Sequence, residues 1–149
     1  ACAYTRLFDM CVEPFLVAST VEAVMAQRLV RTLCPQCKEA YSPEQKDLPA
    51  DFPWNKMEEQ GAKLYRARGC RQCLQVGYRG RIGLFELLLT SETVRELAQE
   101  RASSWKISQA ARAAGMLSLR DDGWNRVLSG DTSVEEILRV TKGDVRLTA

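Results

Sequence analysis

The sequence of 149 residues contains no histidine. Histidine is the side chain that most often serves as a general base near neutral pH, so the chain lacks the usual means of activating a nucleophile. The motif of a phosphate-binding loop, G-x-x-x-x-G-K-[S/T], is also absent, as are G-x-S-x-G and H-E-x-x-H. We therefore expect that these residues do not form a catalytic site by themselves.

Long hydrophobic runs and a strong charge of one sign are lacking too. No stretch approaches the roughly 20 apolar residues that span a bilayer, and the first residues have neither the basic segment nor the apolar core of a secretory signal. The formal net charge is only +2, with 46% hydrophobic and 27% charged residues, which is ordinary for a globular protein. Because the first ten residues resemble the middle of a domain, we expect the chain to be a fragment of a longer protein.

What the sequence does contain is a pair of matched cysteine motifs. Cys34-Pro-Gln-Cys37 and Cys70-Arg-Gln-Cys73 share the C-x-x-C spacing, in which a tight turn brings both sulfurs to one metal ion. Without histidine, all four ligands of such a site would be sulfur. A complete shell of four thiolates leaves no position open for water or substrate, so the pattern predicts a structural zinc site.

Other interpretations of these cysteines stay open. They could be ordinary core residues, they could form a disulfide or a redox-active pair, or they could hold an iron–sulfur centre. A disulfide framework is unusual without a secretory signal, and a redox C-x-x-C normally accompanies a βαβ unit. The remaining cysteines, Cys2 and Cys11, are interpreted as free thiols that act as small apolar core residues.

Local sequence signals predict a mixture of helices and strands. Helices are expected over 5–10 and 15–20, near Trp54, over 92–100, from Ser103 or Ser104, after Ser118, and from Ser133 with a capping box; strands are expected over 63–68 and 84–89. Residues 24–33 fit either a helix or a strand. The glycines between 77 and 83 predict a turn, so that 63–89 would form a hairpin. The acidic pairs at 121–122 and 135–136 are expected to be solvated helix starts, and residues from 142 onward a frayed tail.

A basic window surrounds the second cysteine pair, because no acidic residue occurs between Glu59 and Glu86. Its arginines are Arg66, Arg68, Arg71, Arg79 and Arg81. They form either a solvated surface around an anionic metal centre or a patch that binds anions, such as nucleotide phosphates, acidic lipid head groups or a nucleic-acid backbone. Tyr65 and Tyr78 could stack on bases, so a zinc-ribbon nucleic-acid-binding module is the alternative function. The balanced charge outside the window makes a nucleic-acid partner unexpected.

A series of short segments runs along the whole chain in a characteristic order. They are TRLFDM at 5–10, EPFL at 13–16, AQRLVR at 26–31, LCPQC at 33–37, GCRQC at 69–73, GYRGR at 77–81, IGLFEL at 82–87 and AARAAGM at 110–116. Together they resemble the C-terminal part of the type II secretion and type IV pilus assembly ATPases, the tetracysteine-containing secretion E proteins. The resemblance covers residues 3–142. The four cysteines of the two motifs match the family's metal ligands, whereas Cys11 stands where the family pattern has glycine.

The resemblance implies that the chain is a non-catalytic part of a hexameric cytoplasmic motor, peripheral at the inner-membrane face, that powers type II secretion or type IV pilus assembly. Zinc would be structural, while ATP and magnesium would bind only in the parent protein, upstream of these residues. The partners would be other subunits of the hexamer and inner-membrane secretion or pilus components. Acidic lipid is a further candidate partner for the basic window.

The resemblance also implies an α+β fold in three consecutive regions. Residues 1–33 would be the tail of a RecA-like ATPase core, retaining an edge of that core. Residues 34–89 would be a small β-rich four-cysteine zinc module, and 90–149 a C-terminal helical subdomain. Within the first region, 24–33 would be a strand of the core.

Overall fold

The structure, a computed structural model, describes residues 1–141 and has a mixed α+β fold, as predicted. Its helices are α1 (Cys2–Asp9), α2 (Pro14–Thr20), α3 (Trp54–Glu59), α4 (Glu92–Gln99), α5 (Ser104–Ala113), α6 (Leu119–Leu128) and α7 (Val134–Val140); its strands are β1 (Ala23–Leu33), β2 (Glu39–Tyr41), β3 (Leu64–Arg66) and β4 (Tyr78–Leu89). None of the helices in the described residues is long and apolar enough to cross a membrane. The tail predicted from residue 142 lies outside the described residues.

The strands form two small sheets. Strand β1 pairs with β4, and β2 pairs antiparallel with β3 so that Glu39 lies opposite Arg66 and Tyr41 opposite Leu64. Residues 24–33 are therefore a strand, as the resemblance implies. The predicted 63–89 hairpin is wrong, because each of its strands pairs with a segment that precedes both of them in the chain.

The predicted turn between residues 77 and 83 is also wrong, because β4 already begins at Tyr78. Gly80 sits inside this strand with a φ of +84°, and a Cβ there would have no atom within 4 Å. A glycine inside a strand marks a local irregularity rather than a chain reversal. The glycine-rich sequence was therefore compatible with a continuous strand.

The chain divides into two compact units, and the first combines residues 1–26 with 85–118. Its buried core contains Tyr4, Val17, Ala18, Leu88, Val94, Ala98, Ile107 and Ala111. The Tyr4 hydroxyl hydrogen-bonds the Thr90 hydroxyl at 2.7 Å, and the Arg95 guanidinium donates to the Ala18 carbonyl and to the Glu22 carboxylate. This unit is thus held by an apolar core with one buried hydroxyl pair and an arginine bridge nearer the surface.

Both cysteines of the first unit lie outside that core. Cys2 and Cys11 are exposed free thiols, so their predicted role as core residues is wrong. Cys11 has a φ of +61°, a conformation that glycine adopts more easily than other residues. The turn after α1 is therefore the one that a glycine would favour, although a cysteine occupies it.

The second unit combines residues 27–84 with the chain from Leu119 onward. Helices α6 and α7 pack closely, since a Cβ on Gly123 would lie 2.9 Å from Cγ2 of Ile137. The segment between the cysteine pairs packs on α6: the rings of Phe52 and Trp124 meet edge to face at 5.4 Å. Next to them, Asp51 accepts hydrogen bonds from the Arg120 guanidinium and from the Trp124 indole N–H, the latter at 3.1 Å. The segment between the cysteine pairs, which contains the helix predicted near Trp54, is thus anchored to α6 by a buried ring and a carboxylate.

Candidate metal centre

The first cysteine pair forms a tight turn directly after β1. The amides of Cys37 and Lys38 donate to the Cys34 carbonyl at 3.2 and 2.9 Å. The Cys34 amide in turn donates to the Gly77 carbonyl at 3.0 Å, next to the start of β4. These bonds fold the C-x-x-C segment back on itself and fix it beside the second pair.

The second cysteine pair forms a similar turn whose backbone requires glycine on both sides. The Gln75 amide donates to the Cys70 carbonyl at 2.9 Å. A Cβ on Gly69 would lie 2.7 Å from the Gln75 carbonyl oxygen, and a Cβ on Gly77 would lie 2.6 Å from the Ala67 Cβ. The glycines therefore permit the close backbone approach that closes this turn, which we call the second knuckle (residues 70–76).

The two turns bring the four cysteine sulfurs together, all within 4.8 Å of one another. The Sγ–Sγ distances are 3.9 Å for Cys34 and Cys70, 3.8 Å for Cys37 and Cys73, and 3.7 Å for Cys70 and Cys73. A tetrahedral ion bound by thiolates at about 2.3 Å separates its ligands by about 3.8 Å. A disulfide would need about 2.05 Å, and all four residues are free cysteines. The donor set therefore fits one four-coordinate metal ion of the size of zinc and does not fit a disulfide.

Backbone amides point at the buried sulfur of the second knuckle. The amides of Cys70 and Gly77 donate to the Cys73 sulfur at 3.1 and 3.2 Å. Burial raises the pKa of the Cys73 thiol, but these two amides and the neighbouring thiols outweigh it and lower the pKa to about 6. Burial together with the surrounding thiols raises the pKa of Cys37 to about 11, against the hydrogen bond from the Gly69 backbone. The fixed amide donors favour a negatively charged sulfur, as N–H groups do around metal-bound thiolates.

All five arginines of the predicted anion-binding patch are exposed: Arg66, Arg68, Arg71, Arg79 and Arg81. Arg66 on β3 forms an ion pair with Glu39, its opposite residue on β2, at 3.2 Å. The other four have no carboxylate within ion-pair distance among residues 1–141. Within residues 1–141, the predicted patch therefore has one member neutralised by a carboxylate and four members without an ion pair.

Both tyrosines of the basic window are already engaged within the chain. The Lys38 ammonium lies over the Tyr65 ring at 4.5 Å and donates to the Gly130 carbonyl at 2.8 Å. The Arg31 guanidinium lies over the Tyr78 ring at 4.2 Å, and the Tyr78 hydroxyl hydrogen-bonds Ser133 at 2.7 Å. Each ring thus has one face covered by a cation, which disfavours the base stacking that the alternative function needs.

Sequence reasoning missed the residue that joins β1 to α7. Glu136 was expected to be solvated, but it is 1% exposed. Its carboxylate accepts from the Arg31 amide at 3.0 Å, from the Arg31 guanidinium at 2.7 Å and from the Arg139 guanidinium at 2.7 Å. Burial raises the pKa of Glu136, but the two arginines outweigh it and lower the pKa to about 2. The predicted cap at Ser133 is confirmed, since its hydroxyl accepts a hydrogen bond from the Glu136 amide at 3.3 Å. The Glu136 carboxylate, which a capping box would also use, binds the two arginines.

Comparison with known proteins decides the family. The family model described as type II/IV secretion system protein matches residues 1–139. The chain belongs to this family. The resemblance stated from the motif order is thereby confirmed.

The chain is similar in sequence to several curated proteins of secretion and pilus assembly systems. The chain is 45% identical over 146 residues to a type II secretion system protein E of Pseudomonas aeruginosa, covering 94% of this chain and 27% of that protein. It is 45% identical over 140 residues to a type II secretion system ATPase E of Vibrio cholerae, again covering 94% of this chain and 27% of the relative. It is 39% identical over 139 residues to a type IV pilus assembly ATPase of Thermus thermophilus, covering 93% of this chain and 16% of the relative. The chain therefore spans about a quarter, or less, of the length of these relatives.

Proposed function

We propose that this chain is a zinc-stapled, non-catalytic region of an ATPase that powers type II secretion or type IV pilus assembly. The observation that carries the zinc assignment is the set of four sulfurs at 3.7–3.9 Å spacing. The type of motor follows from the names of the relatives, which include a type II secretion ATPase and a type IV pilus assembly ATPase.

The zinc ion would be structural. With four thiolates bound, a tetrahedral ion has no open position for a substrate or an activated water. Its ligands come from two turns 36 residues apart, so the ion would close that loop and fasten the end of β1 to the second knuckle. Metal binding of this kind contributes directly to folding free energy.

The chain alone would not hydrolyse ATP. Its 149 residues contain no phosphate-binding loop motif and no histidine, and the part it matches is only 27% and 16% of the two relatives named as ATPases. ATP and magnesium would bind in the parent, which we infer to be a cytoplasmic hexamer at the inner-membrane face. Within that parent, 1–33 would complete a RecA-like core, 34–89 form the zinc module and 90–149 the helical subdomain, with the other subunits and inner-membrane components as partners.

Metal content is the deciding measurement for the zinc assignment. Elemental mass spectrometry on protein purified without added metal should find about one zinc per chain. Cys70→Ser should lose most of the metal, because it removes one of the four ligands. Cys2→Ser is the matched control, since Cys2 is exposed and outside the sulfur cluster. Full occupancy by iron, or no metal in the unchanged protein, would refute the zinc site.

An ATPase assay tests the non-catalytic part separately. The zinc-loaded chain should release phosphate no faster than a buffer blank. Turnover at an enzymatic rate of about one per second or more, retained after further purification, would show a complete active site in these residues. That result would overturn the non-catalytic assignment while leaving the zinc assignment intact.

A further inference from the structure

The two cysteines of the second knuckle lie close enough to be joined by oxidation. They stand at the two ends of one turn of 3₁₀ helix, Arg71–Cys73, and the rise of about 2.0 Å per residue in such a helix places their Cα atoms roughly 6 Å apart. A disulfide needs a Cα separation of about 4.4–6.8 Å. The sulfurs of Cys70 and Cys73 are 3.7 Å apart, so they must approach by less than about 2 Å to form the bond.

Solvent reaches one of these cysteines more easily than the other. Cys70 is partly exposed and Cys73 is buried, and their neighbours Arg71 and Leu74 are exposed. The Cys73 sulfur is held in place by the amides of Cys70 and Gly77, at 3.1 and 3.2 Å. A small oxidant therefore meets Cys70 first, with the Cys73 sulfur fixed beside it as the second reactant.

The other pairings in the cluster are less favourable. Closing the Sγ–Sγ contacts of 3.9 and 3.8 Å that join the two turns would draw two segments of the chain together, and the bond between the Cys34 amide and the Gly77 carbonyl limits such movement. The first pair shares its turn with Pro35, whose ring fixes φ and limits the adjustment that disulfide closure requires. The second knuckle has no proline, so closing Cys70 onto Cys73 disturbs the chain least.

We propose that Cys70 and Cys73 are an oxidisable pair, which a hydroperoxide converts to a disulfide and thereby withdraws from the metal site. The Cys70 thiolate attacks the O–O bond of hydrogen peroxide, giving a sulfenic acid and hydroxide. The Cys73 thiolate then attacks the sulfenic sulfur, which forms the S–S bond and releases a second hydroxide. The two sulfurs lose two electrons, and the peroxide gains them and, with two protons from solvent, becomes two water molecules.

The disulfide would leave only Cys34 and Cys37 to bind an ion, which is half of a tetrahedral shell. The metal-mediated link between the second knuckle and the end of β1 would then be lost. This consequence rests on the proposed zinc site, whereas the chemistry of the pair does not. We therefore expect peroxide to release metal and to lower the melting temperature by as much as a chelator does, and a dithiol reductant with added zinc to restore both.

Peroxide treatment of the zinc-loaded Cys2→Ser/Cys11→Ser chain tests the proposal. The two replaced thiols are exposed and lie outside the cluster, so their removal confines thiol oxidation to the four remaining cysteines. One equivalent of hydrogen peroxide should lower the mass of the chain by about 2 Da, and a colorimetric chelator should detect about one zinc released per chain. Excess dithiothreitol and zinc should reverse both changes.

A tryptic map identifies the bonded pair. Trypsin cleaves after Arg71 and so separates the two cysteines of the second knuckle, whose disulfide would hold the peptides 69–71 and 72–79 together. A bond within the first pair would instead lie inside the single peptide 32–38, and a bond between the turns would join that peptide to one of the other two. Each type of pairing therefore gives its own peptide mass.

Two serine variants of the same chain separate the pair from the metal. Cys34→Ser and Cys73→Ser each remove one of the four ligands, so both should hold little metal. Cys34→Ser keeps the oxidisable pair and should still form its disulfide with peroxide. Cys73→Ser lacks the second reactant and should yield a sulfenic acid on Cys70, which dimedone traps.

Three results would decide against the pair. They are a disulfide mapped elsewhere in the cluster, sulfinic acids without a disulfide, and a chain whose mass and metal content are unchanged by one equivalent of peroxide. Absence of zinc from the untreated chain would refute only the zinc site, because the tryptic map still decides which cysteines oxidise.

Discussion

Replacing Glu136 with glutamine should destabilise the second unit by about 2 kcal/mol at neutral pH. The carboxylate is fully buried, while its partners Arg31 and Arg139 have side chains that are 41% and 56% exposed. A pKa lowered from 4.5 to about 2 corresponds to at most about 3.4 kcal/mol, and breaking a buried ion pair costs about 3–5 kcal/mol. Solvent screening of the exposed arginines reduces both figures.

The effect should depend on pH in one direction. Because the folded-state pKa of Glu136 lies below its ordinary value, the carboxylate contributes its full stability above about pH 5. That contribution is lost as pH falls from 4.5 towards about 2. The stability difference between the unchanged protein and Glu136→Gln should therefore shrink between about pH 5 and pH 2. Loss of a thiolate-bound metal in acid would affect both proteins alike and cancel in the difference.

Urea unfolding followed by tryptophan fluorescence measures this difference, since Trp124 is 2% exposed in the same unit. Glu135→Gln is the control, because Glu135 is exposed in the first turn of the same helix and carries the same charge. The control should change stability by less than about 0.5 kcal/mol. Equal effects of the two substitutions, or a difference that is constant with pH, would refute the assignment of a buried stabilising carboxylate.

Three further perturbations test other parts of the structure. Adding a strong chelator to the purified chain should lower its melting temperature by about 10 °C or more, whereas an unchanged melting curve after complete metal removal would contradict a structural ion. Gly77→Ala should lower the free energy of unfolding in urea by about 2–3 kcal/mol, because the new Cβ would lie 2.6 Å from the Ala67 Cβ. The control Gly80→Ala, which has a similar φ and open surroundings, should lower it by about 1 kcal/mol. Equal losses would argue against the close approach at Gly77. Asp51→Asn should lower the free energy of unfolding by about 2 kcal/mol, because it removes the charge that faces the buried Arg120 of α6. A similar loss in the exposed control Asp47→Asn would show that the contact between Asp51 and Arg120 contributes little.

The parts that sequence reasoning predicted are those whose signals are local. The spacing of the cysteine motifs indicated a four-sulfur site, Pro14 marked the start of α2, and the Ser133 hydroxyl caps α7. The proline, the cap and each C-x-x-C pair lie within one turn of the chain, and the second C-x-x-C motif, 36 residues later, repeats the spacing of the first, so each signal is visible in the sequence. The proposed roles of the cluster and of the arginine patch stay predictions.

The parts that sequence reasoning missed depend on distant partners. Strand β3 was assigned to the wrong neighbour because three residues with alternating polarity do not specify which strand they join. Glu136 was interpreted as a helix-start carboxylate because its partner Arg31 lies 105 residues earlier. Cys11 and Leu74 have positive φ angles that side chains of their type rarely adopt, so no propensity argument could have found them.

The separation between Arg31 and Glu136 also bears on how the chain is synthesised. The cysteines that face each other are 36 residues apart, so both turns leave the ribosome well before the last helix. Two other bonds span longer separations, because Lys38 donates to the Gly130 carbonyl 92 residues away and Arg31 on β1 donates to Glu136 on α7, 105 residues away. An ion bound to the four sulfurs would therefore order residues 34–73 before Glu136, the partner of Arg31, has been translated. A chain that ends before α7 would keep all four cysteines but would lack the carboxylate that pairs with Arg31.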